Sequence, residues 1–246
     1  MISVFFRALH AELLKLKRTL AFRVIFVLPG LVALLQFFAL WRTRKFGADF
    51  QLWETLPRNV LAVWAVFMLP LLITLETALL NGIEHADKQW KHIFALPVPR
   101  HAVYFAKFVV AQALAAASTL ILCALTVLVG LAATRLRPEL GGGPVPYGWL
   151  ARYAALVWLA AWLIVAIQTW VSIRWSGFAL ALGTGIGGTF FALFAAGASA
   201  GKYYPWLLPM NVFTGERFAA ALWLGAAGGA LAALLGCFEF ARRDVT

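Results

Sequence analysis

The stretch FVVAQALAAASTLILCALTVLVGLAA, residues 108–133, carries no charged side chain along its whole length. A helix of about 20 apolar residues, rising 1.5 Å per residue, crosses the hydrocarbon core of a bilayer. The stretch therefore predicts a transmembrane helix. The same hydropathy criterion, applied outward in both directions, predicts one all-α integral membrane domain over residues 1–246. Its six predicted transmembrane helices cover about residues 20–41, 59–81, 108–133, 153–173, 177–198 and 218–240.

The composition agrees with a membrane protein and excludes a soluble one. The chain has 63% hydrophobic and 13% charged residues, whereas soluble domains average about 25% charged residues. A net charge of +11 would suggest nucleic-acid binding in a soluble protein. Here the Lys and Arg residues lie between the apolar stretches, where basic side chains contact anionic lipid headgroups. We therefore expect membrane lipids as partners and no nucleic acid.

Six spans place both termini on the same side of the membrane. Lys and Arg are slightly more numerous in the terminal segments and the loops on that side than in the opposite loops. Because basic residues favour the cytoplasmic side, this small bias predicts that both termini are cytoplasmic.

The first 19 residues have the pattern of an amphipathic helix that precedes the first span. Apolar residues recur there at i, i+4, i+8 and i+11, and basic residues fall elsewhere on the helical wheel. This arrangement predicts a helix over residues 1–19 that lies in the membrane interface. The apolar positions are Phe5, Leu9, Leu13 and Leu16, and the basic ones are Arg7, Lys15 and Arg18.

A second amphipathic helix is predicted between the second and third spans, within GIEHADKQWKHIFALPVPRHAVYFAK, residues 82–107. Pro97 and Pro99 end it, because proline cannot continue the helical hydrogen bonds. The pattern fits two alternatives, a helix that lies among lipid headgroups and a docking element for a soluble partner. The apolar face carries Ile83, Ala86, Trp90, Ile93 and Phe94, and the charged face carries Glu84, Asp87, Lys88 and Lys91.

Polar side chains within the predicted spans are candidates for a functional role, because each is costly to place in lipid. Glu76 lies about five residues, or roughly 7.5 Å, from the end of the second span. We predict that it pairs with Arg23 or Arg174, and a role in transport is the alternative. Three glutamines either line a polar path or form hydrogen bonds between helices. They are Gln36, Gln112 and Gln168.

No enzyme motif is found in the structural context that it needs. Residues 197–201 match G-x-S-x-G and residues 183–188 match G-x-G-x-x-G, but both follow apolar helical sequence and not a strand. The four histidines lack the spacing of metal ligands. The sequence has no G-x-x-x-x-G-K-[ST] motif for binding nucleotide phosphates. We therefore predict no catalytic residues, no metal and no cofactor bound by this chain.

Three segments together resemble the permeases of ABC type-2 exporters, with the lantibiotic-immunity and bacitracin-resistance branch as the nearest group. They are AELLKLKRTLAFRVIFVLPG (residues 11–30), residues 82–107 and the terminal FARRDV (residues 240–245). The resemblance implies that residues 82–96 form a cytoplasmic coupling helix, which docks into a separate ATPase subunit. The coupling residues that it implies are Glu84, Lys88, Trp90, Lys91, Phe94 and Arg100.

The resemblance also implies an assembly of two ABC ATPase subunits, which bind ATP and Mg, with a second permease copy or a paralogous permease in a bacterial cytoplasmic membrane. It implies that the outer segment 199–217 is re-entrant. From its residues alone, this segment is either an aromatic belt or a re-entrant lid. Its aromatic residues include Tyr203, Tyr204 and Trp206.

The function that this resemblance implies is export of an amphipathic or hydrophobic substrate, such as a peptide antibiotic or a lipid. An exporter of a peptide antibiotic would confer antibiotic resistance. Few charges lie in the spans to hold an ion. Two alternatives stay open: a membrane scaffold or immunity protein that recruits a soluble partner, and a secondary transporter, which would normally carry paired buried charges.

Overall fold

The computed structural model describes residues 2–16, 19–43, 50–86, 98–140 and 142–242. All regular elements in these ranges are helical, which confirms the predicted all-α class. We number the α-helices α1 to α11. Two π-helical turns, Trp64–Met68 and Leu224–Gly228, each connect one α-helix to the next without a break. The α-helices are α1 (Ile2–Leu16), α2 (Ala21–Arg42), α3 (Leu52–Val63), α4 (Leu69–Ala86), α5 (Arg100–Leu136), α6 (Tyr147–Ala160), α7 (Trp162–Arg174), α8 (Phe178–Ala195), α9 (Leu208–Asn211), α10 (Gly215–Trp223) and α11 (Gly229–Arg242).

Five stretches of the described chain are long and apolar enough to cross a membrane. A sixth is formed by α6 and α7 if this pair, which bends by 41° at Ala161, counts as one span. The predicted number of spans is thus matched only when the bent pair is included. The five continuous stretches are Ala21–Arg42, Leu52–Gly82, Arg100–Leu136, Phe178–Ala195 and Gly215–Arg242.

The second and third spans are both longer than predicted. The second begins at Leu52, seven residues before the predicted boundary, because α3 continues through a π-helical turn into α4. The third begins at Arg100, directly after Pro99. Its 37 residues extend over about 55 Å at 1.5 Å per residue, well beyond a hydrocarbon core of about 30 Å. Part of α5 therefore lies outside the core.

The bundle is organised around α4, which contacts α2, α5, α7 and α8. Its buried apolar side chains join those of α2, α5 and α7 in one core cluster. At the centre of this cluster Trp64 is fully buried, and its Nε1 donates a hydrogen bond to Thr119 Oγ1 at 3.1 Å. The pair fixes the π-helical turn against α5.

The buried side of α1 differs from the predicted apolar face. Leu16 is buried as expected, but Leu13 is exposed and the acidic Glu12 is buried. The reason is that α1 packs along the first turns of α5, where Glu12 meets a lysine.

Close contact between helices depends on glycine at Gly225, in the second π-helical turn. A Cβ atom built at this position would overlap the backbone of Ala160, just before the bend between α6 and α7. At Gly183 on α8, by contrast, a Cβ atom would have no neighbour within 4 Å. Glycine therefore permits the final helical stretch to approach the bend.

We expect Gly225→Ala to lower the free energy of unfolding by about 1–3 kcal/mol, because the overlapping atoms belong to the backbone and cannot rotate away. Thermal unfolding in detergent, followed by tryptophan fluorescence, measures the effect. Gly183→Ala is the matched control and should leave stability unchanged or raise it, since alanine favours helix over glycine. Equal stability of the two variants would contradict this packing.

Candidate functional site

Four charged side chains meet where α1, the end of α4 and the beginning of α5 converge. Glu12 and Lys15 lie on neighbouring turns of α1, Glu84 lies two residues before α4 ends, and Lys107 lies seven residues into α5. We call these four residues the ion cluster.

The ion cluster alternates acidic and basic groups. Lys15 Nζ lies 2.7 Å from Glu12 Oε1 and 2.7 Å from Glu84 Oε1. Lys107 Nζ lies 2.6 Å from Glu84 Oε1 and 3.1 Å from Glu12 Oε2. Each ammonium group therefore contacts both carboxylates, and the cluster carries no net charge.

The ion cluster is shielded from solvent at three of its four members. The side chains of Glu84, Lys107 and Glu12 are 0%, 1% and 5% exposed, whereas that of Lys15 is 32% exposed. Pairing offsets the cost of burying these charges, since desolvation of a single ion costs several kcal/mol. Lys15 closes the cluster on its accessible side.

The two members on α1 have pKa values that favour their charged forms. Burial alone would raise the pKa of Glu12, but the neighbouring Lys107 and Lys15 outweigh it, so that the pKa is lowered. Burial alone would lower the pKa of Lys15, but the neighbouring carboxylates of Glu12 and Glu84 outweigh this effect, so that the pKa is raised. For both residues, pairing thus stabilises the charged form by more than desolvation destabilises it.

Glu84 accepts both ammonium groups through one oxygen. Its second oxygen, Oε2, is buried and has no hydrogen-bond partner among the described residues. The adjacent His85 turns the other way, and its Nε2 donates to the carbonyl oxygen of Ser172 on α7 at 3.0 Å. The last turn of α4 is therefore tied to α1, α5 and α7.

The predicted coupling helix is described only in part. Residues 82–86 form the last residues of α4 and no separate helix, while Lys88, Trp90, Lys91 and Phe94 lie outside the described residues. Glu84, which the sequence assigns to the charged face of that helix, is buried, and two lysines distant in sequence enclose it.

Arg100 lies at the other end of the segment that connects α4 to α5. Its Nη1 donates a hydrogen bond to the carbonyl oxygen of Ala241, in the last turn of α11, at 3.1 Å. Carbonyl groups at the end of a helix lack intrahelical donors, and a guanidinium group satisfies them well. Arg100 thus joins the start of α5 to the end of α11.

Glu76 does not form the predicted pair with Arg23 or Arg174. Arg174 instead contacts Glu239 on the adjacent α11, with Nε 3.1 Å from Oε1, and Arg23 is exposed. Glu76 is buried among the apolar residues of α4, and neither carboxylate oxygen has a hydrogen-bond partner in the described chain.

The three predicted glutamines do not form hydrogen bonds between helices through their amide groups. Gln112 and Gln168 are buried with unpaired side-chain amides among the described residues, and Gln36 is partly exposed. The helices are instead joined by residues that the sequence did not single out. Asn81 Nδ2 donates to Ser172 Oγ at 2.8 Å. Their polarity within apolar helices is the signal that could have identified them.

The segment 199–217 folds against the bundle through short helices, Ser199–Tyr203, Pro205–Leu207 and α9. Tyr204 Oη donates to the carbonyl oxygen of Gly188 at 3.0 Å, and the Trp206 ring covers the same glycine. Tyr203 is exposed. Tyr204 and Trp206 therefore pack on α8, whereas Tyr203 stays exposed.

The described residues thus define an integral membrane protein of five or six helical spans, and no group of acidic, histidine or cysteine residues among them could hold a metal ion. A family model described as ABC-2 family transporter protein matches residues 8–194, and the chain belongs to this family. The matched range includes all four residues of the ion cluster. No curated protein and no solved structure matches the chain.

Proposed function

We propose that the chain is the permease subunit of an ATP-driven exporter and that ATP binding by its partner is transmitted through residues 82–96. The observation that supports this most strongly is the location of the ion cluster. Residues 87–97 connect α4 to α5, and the ion cluster joins these two helices to each other and to α1. Force applied to the connection would reach three helices together.

The ion cluster favours motion of these helices as one body. Separating a buried ion pair leaves uncompensated charges, at a cost of about 3–5 kcal/mol. A displacement of residues 87–97 by a partner therefore shifts α1, α4 and α5 together more readily than it pulls them apart. Rigid-body movement of this kind is a common basis of conformational switching.

In this proposal the predicted coupling residues have two different tasks. Lys88, Trp90, Lys91 and Phe94 contact the ATPase, whereas Glu84 and Arg100 hold the two ends of the segment to the bundle. ATP and Mg bind to the partner, since this chain lacks a phosphate-binding motif. Two ATPase subunits and a second permease, identical or paralogous, complete the exporter.

The proposed substrate is amphipathic or hydrophobic, such as a peptide antibiotic or a lipid, in keeping with the lantibiotic-immunity and bacitracin-resistance permeases. The buried, unpaired side chains of Glu76, Gln112 and Gln168 could contact a polar part of such a substrate. We place the protein in the bacterial cytoplasmic membrane with both termini in the cytoplasm, as the small excess of basic residues favours.

The double variant Trp90→Ala, Phe94→Ala is expected to lose most of its association with the ATPase partner, which is sought among candidate ABC ATPases, because large aromatic side chains carry much of the binding energy of interfaces. Co-purification of tagged permease and ATPase measures this. The matched control is Phe194→Ala, Trp223→Ala, which removes two exposed aromatic side chains elsewhere. Undiminished association of the first variant would overturn the coupling role.

Cell protection separates an exporter from a scaffold. Cells that express the permease and ATPase should survive membrane-active peptides better than cells in which the phosphate-binding lysine of the ATPase is replaced. Protection that persists with the inactive ATPase would indicate an immunity protein that sequesters the peptide or recruits another partner.

A further inference from the structure

An open apolar groove of about 530 Å³ lies between the C-terminal half of α5 and the beginning of α6. This volume is in the range of sites for small ligands, about 300–1,000 Å³. Its lining residues are Leu120, Cys123, Ala124, Val127, Leu128, Tyr147, Leu150, Ala151 and Ala154.

The groove exists because small and large residues occupy different positions along it. The small lining residues are Ala124 on α5 and Ala151 and Ala154 on α6, whereas Leu120, Leu128 and Tyr147 are large and exposed. A flat lipid-facing surface would not result from this arrangement. The groove is suited to a flexible hydrocarbon chain, since its lining offers very little polar surface.

A cation lies beyond one end of the groove. Arg135 is exposed. Successive members of the series Ala124, Leu128, Leu131 and Arg135 are four, three and four residues apart, which places all four on one face of α5. No ion pair or hydrogen bond of Arg135 is found among the described residues. Its neighbour Arg137, in contrast, contacts Glu139 and the carbonyl oxygens of Leu40 and Thr43.

We propose that this groove binds one acyl chain of an anionic glycerophospholipid, whose phosphate group contacts Arg135. Arg135 lies seven residues beyond Leu128, about 10.5 Å along the helix, near the end of a span that extends past the hydrocarbon core. A lipid chain in the groove thus places its headgroup at the level where an arginine reaches the membrane surface. The charge of Arg135 selects a phospholipid with net negative charge over a zwitterionic one.

A control residue for Arg135, Arg152, lies on the opposite side of α6 from the groove. Arg152 is also exposed, but its angular position lies away from Tyr147, Leu150 and Ala154 at 100° per residue. It therefore supplies a cation in the same region of the chain that does not border the groove.

Native mass spectrometry of the purified full chain tests the proposal, with phosphatidylglycerol and phosphatidylcholine of identical acyl chains as probes. The wild type should bind phosphatidylglycerol about five-fold more tightly, the factor that one cation near an anionic surface contributes. Arg135→Gln should remove this preference, and Arg152→Gln should keep it. Equal binding of the two lipids by the wild type would overturn the contact with Arg135.

Filling the groove tests the acyl-chain site itself. Ala124→Trp should lose the bound lipid, whereas Ala230→Trp, at an exposed position of α11, should retain it. Retention by Ala124→Trp would overturn the site. A second copy of the chain covering the groove would also overturn it, and would be detected as a Cys123–Cys123 cross-link in the Cys237→Ala background.

Discussion

Lys107→Met is expected to lower the free energy of unfolding by about 3–5 kcal/mol. The substitution leaves the buried carboxylates of Glu12 and Glu84 with only Lys15 between them. Because Glu84 is completely shielded, water cannot replace the lost ammonium group. Thermal unfolding of the purified protein in detergent, followed by tryptophan fluorescence, measures the change.

Two control variants define the cause. Arg152→Met removes an exposed cation and should change the unfolding free energy by no more than about 0.5 kcal/mol. Lys15→Met removes the accessible member of the ion cluster and should have an intermediate effect, because solvent reaches its position. A Lys107→Met protein as stable as Arg152→Met would show that the ion cluster does not support the fold.

Glu84→Lys is expected to abolish ATP-dependent transport. It would place three cationic groups around the single carboxylate of Glu12, so that α1, α4 and α5 repel each other where they now meet. The measurement is peptide resistance of cells that also express the ATPase, together with the amount of folded permease in their membranes.

Reversal of all four charges, with Glu12→Lys, Lys15→Glu, Glu84→Lys and Lys107→Glu, should restore both transport and folded protein, because every contact in the ion cluster then again joins opposite charges. The swap Glu84→Lys, Lys107→Glu alone should restore less, because it places a lysine next to Lys15 and a glutamate next to Glu12. Recovery of folded protein without recovery of transport would assign the ion cluster a purely structural role and would contradict its part in coupling.

The local sequence was sufficient to predict those helices whose formation depends on the lipid environment. Residues 108–133 predicted a span because about 20 apolar residues in succession are stable as a helix in lipid, whatever their neighbours are. The bend at Ala161 had no such signal. It occurs within the run LAAWL, which contains neither proline nor glycine, and the glycines that approach it closely are Gly225 and Gly229, more than 60 residues later.

The candidate site shows the limit of periodicity. Helical spacing assigned Glu84 to a charged face, because the charged residues around it recur on one side of a helix. Its burial depends on Lys107, 23 residues away, and on Lys15, 69 residues away. Likewise, Glu76 does not pair with Arg23 or Arg174 as predicted, since Arg174 contacts Glu239 on α11 and Arg23 is exposed.

The sequence by itself thus determined the helical class, the approximate spans and the resemblance to ABC type-2 permeases, which membership of the ABC-2 family supports at the coarser level. These properties depend on the summed hydropathy of consecutive residues, which determines whether a segment is stable in lipid. Only the tertiary structure decided which charges are buried together and where a groove opens beside Arg135. Such features arise when distant helices meet, since the free energy of a buried charge depends on the groups around it and not on its place in the chain.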